Sequence, residues 1–139
     1  METIHTVYLS LGSNLGDRHA AMRRAIDLLG AEAGTVDRES RPIETEPWGF
    51  TSPNRFLNLC VCLKTTLSPE ALLDVTQSIE RRLGRTIKTQ ADGRYHDRPI
   101  DIDLLMYDDL HIDTPALTLP HPHMHERDFV MVPLNEILD

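Results

Sequence analysis

The sequence predicts an α+β fold, a ferredoxin-like β-α-β-β-α-β sandwich in which an antiparallel sheet carries two helices on one face. Two observations lead there. Stretches of alternating apolar and polar side chains give way twice to runs with helical spacing, and two strand-like stretches separate those runs. At 139 residues, 40% of them hydrophobic, the chain has material for one buried core, so a single domain over residues 1–139 is expected.

The first strand is read in "TVYLSLGSN", running to Leu11, with turn chemistry from Gly12 to Asn14. "DRHAAMRRAIDLLGAEAG" follows as helix one. Ala21, Met22, Ala25, Ile26, Leu28 and Leu29 recur at helical spacing, Asp17 suits the positive helix start, and Gly30 or Gly34 marks the stop. "TVDRESRPIETEPW" reads as a polar edge strand, because Pro42 and Pro47 cannot donate to an uninterrupted central ladder. In "FLNLCVCLKTTL", Leu57, Leu59, Val61 and Leu63 alternate with Asn58, Cys60, Cys62 and Lys64, which gives a strand with one clearly apolar face. Ser68 caps the second helix with Pro69 at its first position. Leu72, Leu73, Val75, Thr76, Ile79 and Leu83 form its stripe up to Gly84.

The last strand, "RPIDIDLLMY", poses the chemical question. A period of two places Ile100, Ile102, Leu104 and Met106 on one face and Asp101, Asp103, Leu105 and Tyr107 on the other. Two carboxylates on one face, Cα atoms roughly 6 to 7 Å apart, repel and call for positive charge between them. Mg2+ ions meet that need, since they take oxygen ligands and complete their shell with water and substrate phosphates. A solvated sheet face, or ion pairs to Arg94 or Arg98, is the plainer reading of so short a motif. Arg85, Lys88, Arg94 and Arg98 crowd one loop ahead of this strand, and guanidiniums clamp phosphate oxygens.

His121, His123 and His125 in "LPHPHMHERDF" have spacing that suits Zn or Ni, but they equally suit hydrogen bonds to phosphate, and at most one is expected to act. "GSNLGDR" lacks the Gly-Lys-Ser/Thr ending of a phosphate-binding loop and reads as a strand-to-helix turn. Cys60 and Cys62, the only cysteines, are expected to be free thiols serving packing. A net charge of -8 argues against a nucleic-acid partner. With no long apolar run and no basic leader, no membrane contact is expected and the cytoplasm is the predicted compartment.

Taken in order, "YLSLGSNLGDR", "FLNLCVCLKTTLSPEALLDVTQSIERRLGR", "DRPIDIDLLMY" and "LTLPHPHMHERDFVMVPLNEI" resemble the 6-hydroxymethyl-7,8-dihydropterin pyrophosphokinase family over essentially the whole chain. That resemblance implies transfer of pyrophosphate from ATP to the hydroxymethyl group of 6-hydroxymethyl-7,8-dihydropterin, with two Mg2+ ions bound by Asp101 and Asp103. It implies phosphate contacts from Arg98, His121 and Arg127, a turnover-assisting Arg85, and Glu80 and Ile102 beside the nucleotide. For the pterin it implies a hydrogen bond from Asn58, a sandwich between Phe56 and Phe129, and further lining by Thr45, Pro47, Trp48 and Asp101. A monomer or weak homodimer is expected.

The chain departs from the family's usual pattern at "GRTIK", where Ile87 replaces an arginine, and at "RYHDR", where Tyr95 and Asp97 replace tryptophan and proline. It stops at Asp139, where many relatives continue, and is expected to keep the chemistry in a short form. Two other readings stand beside this one. A binding module of the same fold would hold ATP without dependence on Mg2+, and a phosphohydrolase would release phosphate without pterin.

Overall fold

The computed structural model describes residues 3–46, 54–84 and 99–138. In these, β1 (His5–Ser13), α1 (Arg18–Glu32), β2 (Thr35–Glu39), β3 (Ile43–Thr45), β4 (Phe56–Thr65), α2 (Pro69–Arg82) and β5 (Asp101–Tyr107) follow one another. A small hairpin, β6 (Ile112–Asp113) and β7 (Thr118–Leu119), a short 3-10 turn at Met124–Glu126 and a helix, α3 (Asp128–Ile137), complete the chain. The sheet order β2-β4-β1-β5, antiparallel throughout, is that of the predicted ferredoxin-like fold.

Local signals work as the sequence suggests. Asp17 caps α1 by accepting the Ala20 N–H at 3.0 Å, and Ser68 caps α2 by accepting that of Ala71 at 3.2 Å. Gly84 closes α2 at φ 105°, a conformation that favours glycine. Gly34 is required for a different reason: a Cβ there would meet the Lys64 carbonyl oxygen at 2.1 Å. The predicted polar strand is split at Pro42. β2 pairs with the far half of β4 and β3 with its first residues. Ser40 bridges the break, donating its N–H to the Cys60 carbonyl and accepting the Cys60 N–H on Oγ, both at 2.9 Å.

Two expectations are corrected. Helices cover both faces of the sheet, so the fold has three layers. Leu57, Leu59, Val61 and Leu63 pack under α1 and α2, while Cys60 and Cys62 are buried beneath Val130, Leu134 and Ile137 of α3. Alternation in β5 also breaks. The register against β1 slips between Tyr8 and Leu9, leaving Leu105 as the extra residue of a bulge. Beyond it Tyr107 enters the α1/α2 core and Met106 turns to the α3 side, the reverse of a strict period of two.

Candidate active site

Strand register builds the site. β1 runs through the middle of the sheet, and its Gly12 is paired with Asn58 of β4 on one side and Asp101 of β5 on the other. Nearby along β1, Ser10 is paired with Cys60 and Asp103. Paired residues in an antiparallel ladder point to the same face. Asn58 and Asp101 therefore stand on the α3 side of the sheet, their Cα atoms roughly 10 Å apart, with a glycine between them.

Gly12 is the residue that sequence reasoning misplaces. Its turn chemistry assigns it to the loop after β1, but it lies within the strand, whose ladder continues to Ser13. A Cβ at Gly12 would come within 2.9 Å of Asn58 Oδ1 and 3.4 Å of the Phe56 ring. The missing side chain thus lets the Asn58 amide and the Phe56 ring approach the Gly12 backbone closely. Asn58 is buried and its amide is aimed, because Nδ2 donates to Thr45 Oγ1 at 2.6 Å across β3 and β4. Phe56, Asn58, Thr45 and Asp101 are thereby brought to one end of one face.

The aspartates are half-buried on that face, with Ile102 between them turned into the α1/α2 core. β5 is the outermost strand, and its edge is covered at two points. Glu80, buried on α2, accepts the Ile102 N–H on Oε2 at 2.7 Å. Further along, the His121 N–H donates to the Leu105 carbonyl at 2.9 Å. The second contact brings the start of the His-rich segment against the acidic strand, just after the cis Leu119–Pro120 bond. His121 Nδ1 accepts the His123 N–H at 3.2 Å, which fixes its ring.

Among the described residues no group of three or more His, Cys, Asp or Glu side chains gathers as a ligand set. Asp101 and Asp103 supply two hard carboxylate donors on one face. That donor set fits Mg2+, which keeps several positions for water and phosphate oxygens, better than it fits Zn2+.

Arg127 is buried at the start of α3, its guanidinium carbon 5.5 Å from the centroid of the Phe129 ring. Phe129, in the first turn of α3, packs on the cluster that includes Cys60 and Leu105. Of the residues expected at the site, Thr45, Phe56, Asn58, Asp101, Asp103 and Phe129 share the α3 side of the sheet. Glu80 and Ile102 meet at the outer edge of β5. Arg85, Arg98, Pro47 and Trp48 lie outside the described residues, as do Ile87, Lys88, Arg94, Tyr95 and Asp97.

Comparison with known proteins bears on the family and the fold. The model of the family described as 7,8-dihydro-6-hydroxymethylpterin-pyrophosphokinase (HPPK) matches residues 8–139. The chain is 52% identical over 132 residues to the 2-amino-4-hydroxy-6-hydroxymethyldihydropteridine pyrophosphokinase of Porphyromonas gingivalis, covering 94% of this chain and 89% of that one. To the Bacillus subtilis protein of the same name it is 44% identical over 131 residues, covering 94% and 76%. A crystal structure of wild-type Plasmodium falciparum HPPK-DHPS superposes with a TM-score of 0.77 over 97% of this chain at 15% identity. This chain spans 41% of that longer one, and the likeness bears on the fold.

Proposed function

Because the chain belongs to the 7,8-dihydro-6-hydroxymethylpterin pyrophosphokinase family, we infer that it transfers pyrophosphate from ATP to the hydroxymethyl group of 6-hydroxymethyl-7,8-dihydropterin, giving AMP and the pterin diphosphate in folate synthesis. The observation that carries the residue assignment is the lateral row Asn58, Gly12, Asp101. It sets a hydrogen-bonding amide and a carboxylate on either side of the Gly12 backbone, with an aromatic ring beside the amide.

In this reading Asn58 hydrogen-bonds the pterin edge, Phe56 and Phe129 hold the ring between them, and Thr45 fixes the Asn58 amide. Pro47 and Trp48 complete the same pocket. Asp101 faces both substrates and, with Asp103, holds the Mg2+ ions. Bound there, two Mg2+ ions would neutralise phosphate charge and template the ATP phosphates. Arg98, His121 and Arg127 bind phosphate oxygens, and Arg85 assists turnover. Glu80 acts on the nucleotide side through the backbone of Ile102.

The step itself is an in-line displacement. The hydroxymethyl oxygen bonds to the β-phosphorus, the bond from that phosphorus to the α,β-bridging oxygen breaks, AMP leaves, and the hydroxyl proton goes to solvent or substrate phosphate. Positioning and charge neutralisation account for such a transfer without a covalent enzyme intermediate. The ligands are small molecules, not nucleic acid, and the protein acts in the cytoplasm as a monomer or weak homodimer. Among the described residues no helix is long and apolar enough to cross a membrane.

The test is AMP formation from ATP and Mg2+, with and without 6-hydroxymethyl-7,8-dihydropterin, for the natural protein and Asp101→Ala. Pterin-dependent AMP that disappears in the variant supports the assignment. AMP or phosphate released equally without pterin would replace it with a hydrolase.

A further inference from the structure

"GSNLGDR" reads as a turn, yet its last residue makes contacts that a turn does not need. Arg18 is the first residue of α1. A cation at a helix start is electrostatically disfavoured, since the helix dipole is positive there. The side chain instead leaves its own helix. Nη1 donates to the Arg55 carbonyl at 3.1 Å and Nη2 donates to Glu44 Oε1 at 2.5 Å.

Those acceptors belong to β3 and to the residue that leads into β4. Glu44 is the middle residue of β3, and Arg55 immediately precedes β4. β3 makes three ladder pairs with β4, Ile43 with Asn58, Glu44 with Leu57 and Thr45 with Phe56. So short a strand is held weakly by its own ladder, and its position against β4 depends on what else grips it. Arg18 grips both strands with one rigid fork, a geometry that a guanidinium provides and an ammonium does not. The Asn14 amide adds a parallel tie to the Asn54 carbonyl at 3.3 Å. Arg55 Nη1 lies 3.8 Å from the other oxygen of Glu44, so that carboxylate sits between two guanidiniums.

We propose that Arg18 is a positioning residue for the pterin: through Glu44 and the Arg55 carbonyl it locks β3 against β4, and thereby holds the Thr45 hydroxyl that aims the Asn58 amide. The role rests on the pyrophosphokinase reading given above. Arg18 touches no reacting atom, and its effect passes through Glu44, the neighbour of Thr45. Its partners are partly exposed, so the ion pair itself adds little to global stability. Its removal should change the pocket more than the fold.

The experiment measures steady-state AMP formation by the full chain with ATP and pterin varied separately, beside the melting temperature, for the natural protein, Arg18→Ala, Arg18→Lys and Glu44→Gln. Arg18→Ala should raise KM for the pterin by about tenfold while kcat and KM for ATP stay within about twofold. Arg18→Lys, which reaches one acceptor at a time, should fall between, and Glu44→Gln, which keeps the acceptor, should stay near the natural protein. An unchanged pterin KM in Arg18→Ala, or both KM values and kcat worsening together with a large loss of melting temperature, would overturn the positioning role. A natural protein that makes no pterin-dependent AMP would overturn the pyrophosphokinase reading and this inference with it, an outcome distinct from either of those.

Discussion

Glu80 accepts the backbone N–H of Ile102 at 2.7 Å, and Ile102 is the residue between Asp101 and Asp103. A carboxylate on α2 thus fixes the strand segment that presents both aspartates, from the edge that β1 does not reach. Glu80→Ala would leave that buried N–H without this acceptor, at a cost of about 1 to 3 kcal/mol. The same change should raise the Mg2+ concentration needed for AMP formation, because the acidic strand would lose its outer anchor. Glu80→Gln keeps an oxygen in reach and should retain most of both. Urea unfolding and a Mg2+ titration of activity decide it, and an Ala variant as stable as the natural protein would rule the anchor out.

Gly12 separates Asn58 from Asp101 without intruding. Glycine within a strand ordinarily costs stability relative to alanine, so Gly12→Ala should be neutral or slightly stabilising if nothing packed against the position. Here the added methyl falls 2.9 Å from Asn58 Oδ1 and pushes on that amide. The expected result is a folded protein whose pterin KM rises about tenfold, the size of one displaced hydrogen bond, with ATP KM unchanged. Equal pterin KM values in the two proteins would mean that the close approach at Gly12 serves packing only.

How much of this is legible in the sequence depends on whether the cause is local. Asp17, Ser68 with Pro69, and Gly84 act within a few residues of themselves, and their roles can be read directly. The facing of Asp101 and Asp103 follows from the strand period. The reversal at Met106 and Tyr107 does not, because a bulge exists only relative to the partner strand's register. α3 is hidden by Pro133 inside its apolar run, a residue that usually argues against a helix interior. Gly12 reads as punctuation because turns and tight strand contacts both select glycine. The Arg18 contact to Glu44 spans 26 positions, and no spacing rule reports it.

Cys60 lies beneath α3, its Sγ 3.7 Å from the Val130 carbonyl oxygen. Burial pushes its thiol up to about 12 from 9.0, against a smaller opposing effect of the Ser10 hydrogen bond. The thiolate is the reactive form, so a rise of that size reduces it about a thousandfold at neutral to mildly alkaline pH. Burial also raises the Cys62 thiol. Neither thiol should react with an aromatic disulfide reagent in the folded protein, and both should react at the rate at which α3 opens. Labelling in native buffer measures this, and rapid modification without denaturant would show that α3 does not seal the sheet.

At the opposite end of β5, Asp108 closes the strand at φ 49°. Its Oδ1 accepts the Thr6 N–H at 2.8 Å, and Oδ2 lies 2.6 Å from His5 Nδ1. Burial works to raise its pKa, but the Thr6 and His5 hydrogen bonds outweigh it and hold the carboxyl below its ordinary 3.8. A depressed folded-state pKa contributes stability above the ordinary value, and that contribution is lost as pH falls through the folded-state value. The side chain is 38% exposed, so solvent screening keeps the contribution under about 1 kcal/mol. Asp108→Asn tolerates the left-handed backbone and still accepts from Thr6, but it carries no titrating proton. Its melting temperature should therefore fall less steeply than that of the natural protein as pH falls through and below 3.8. Parallel curves across that range would show that the lowered carboxyl of Asp108 contributes nothing to acid stability.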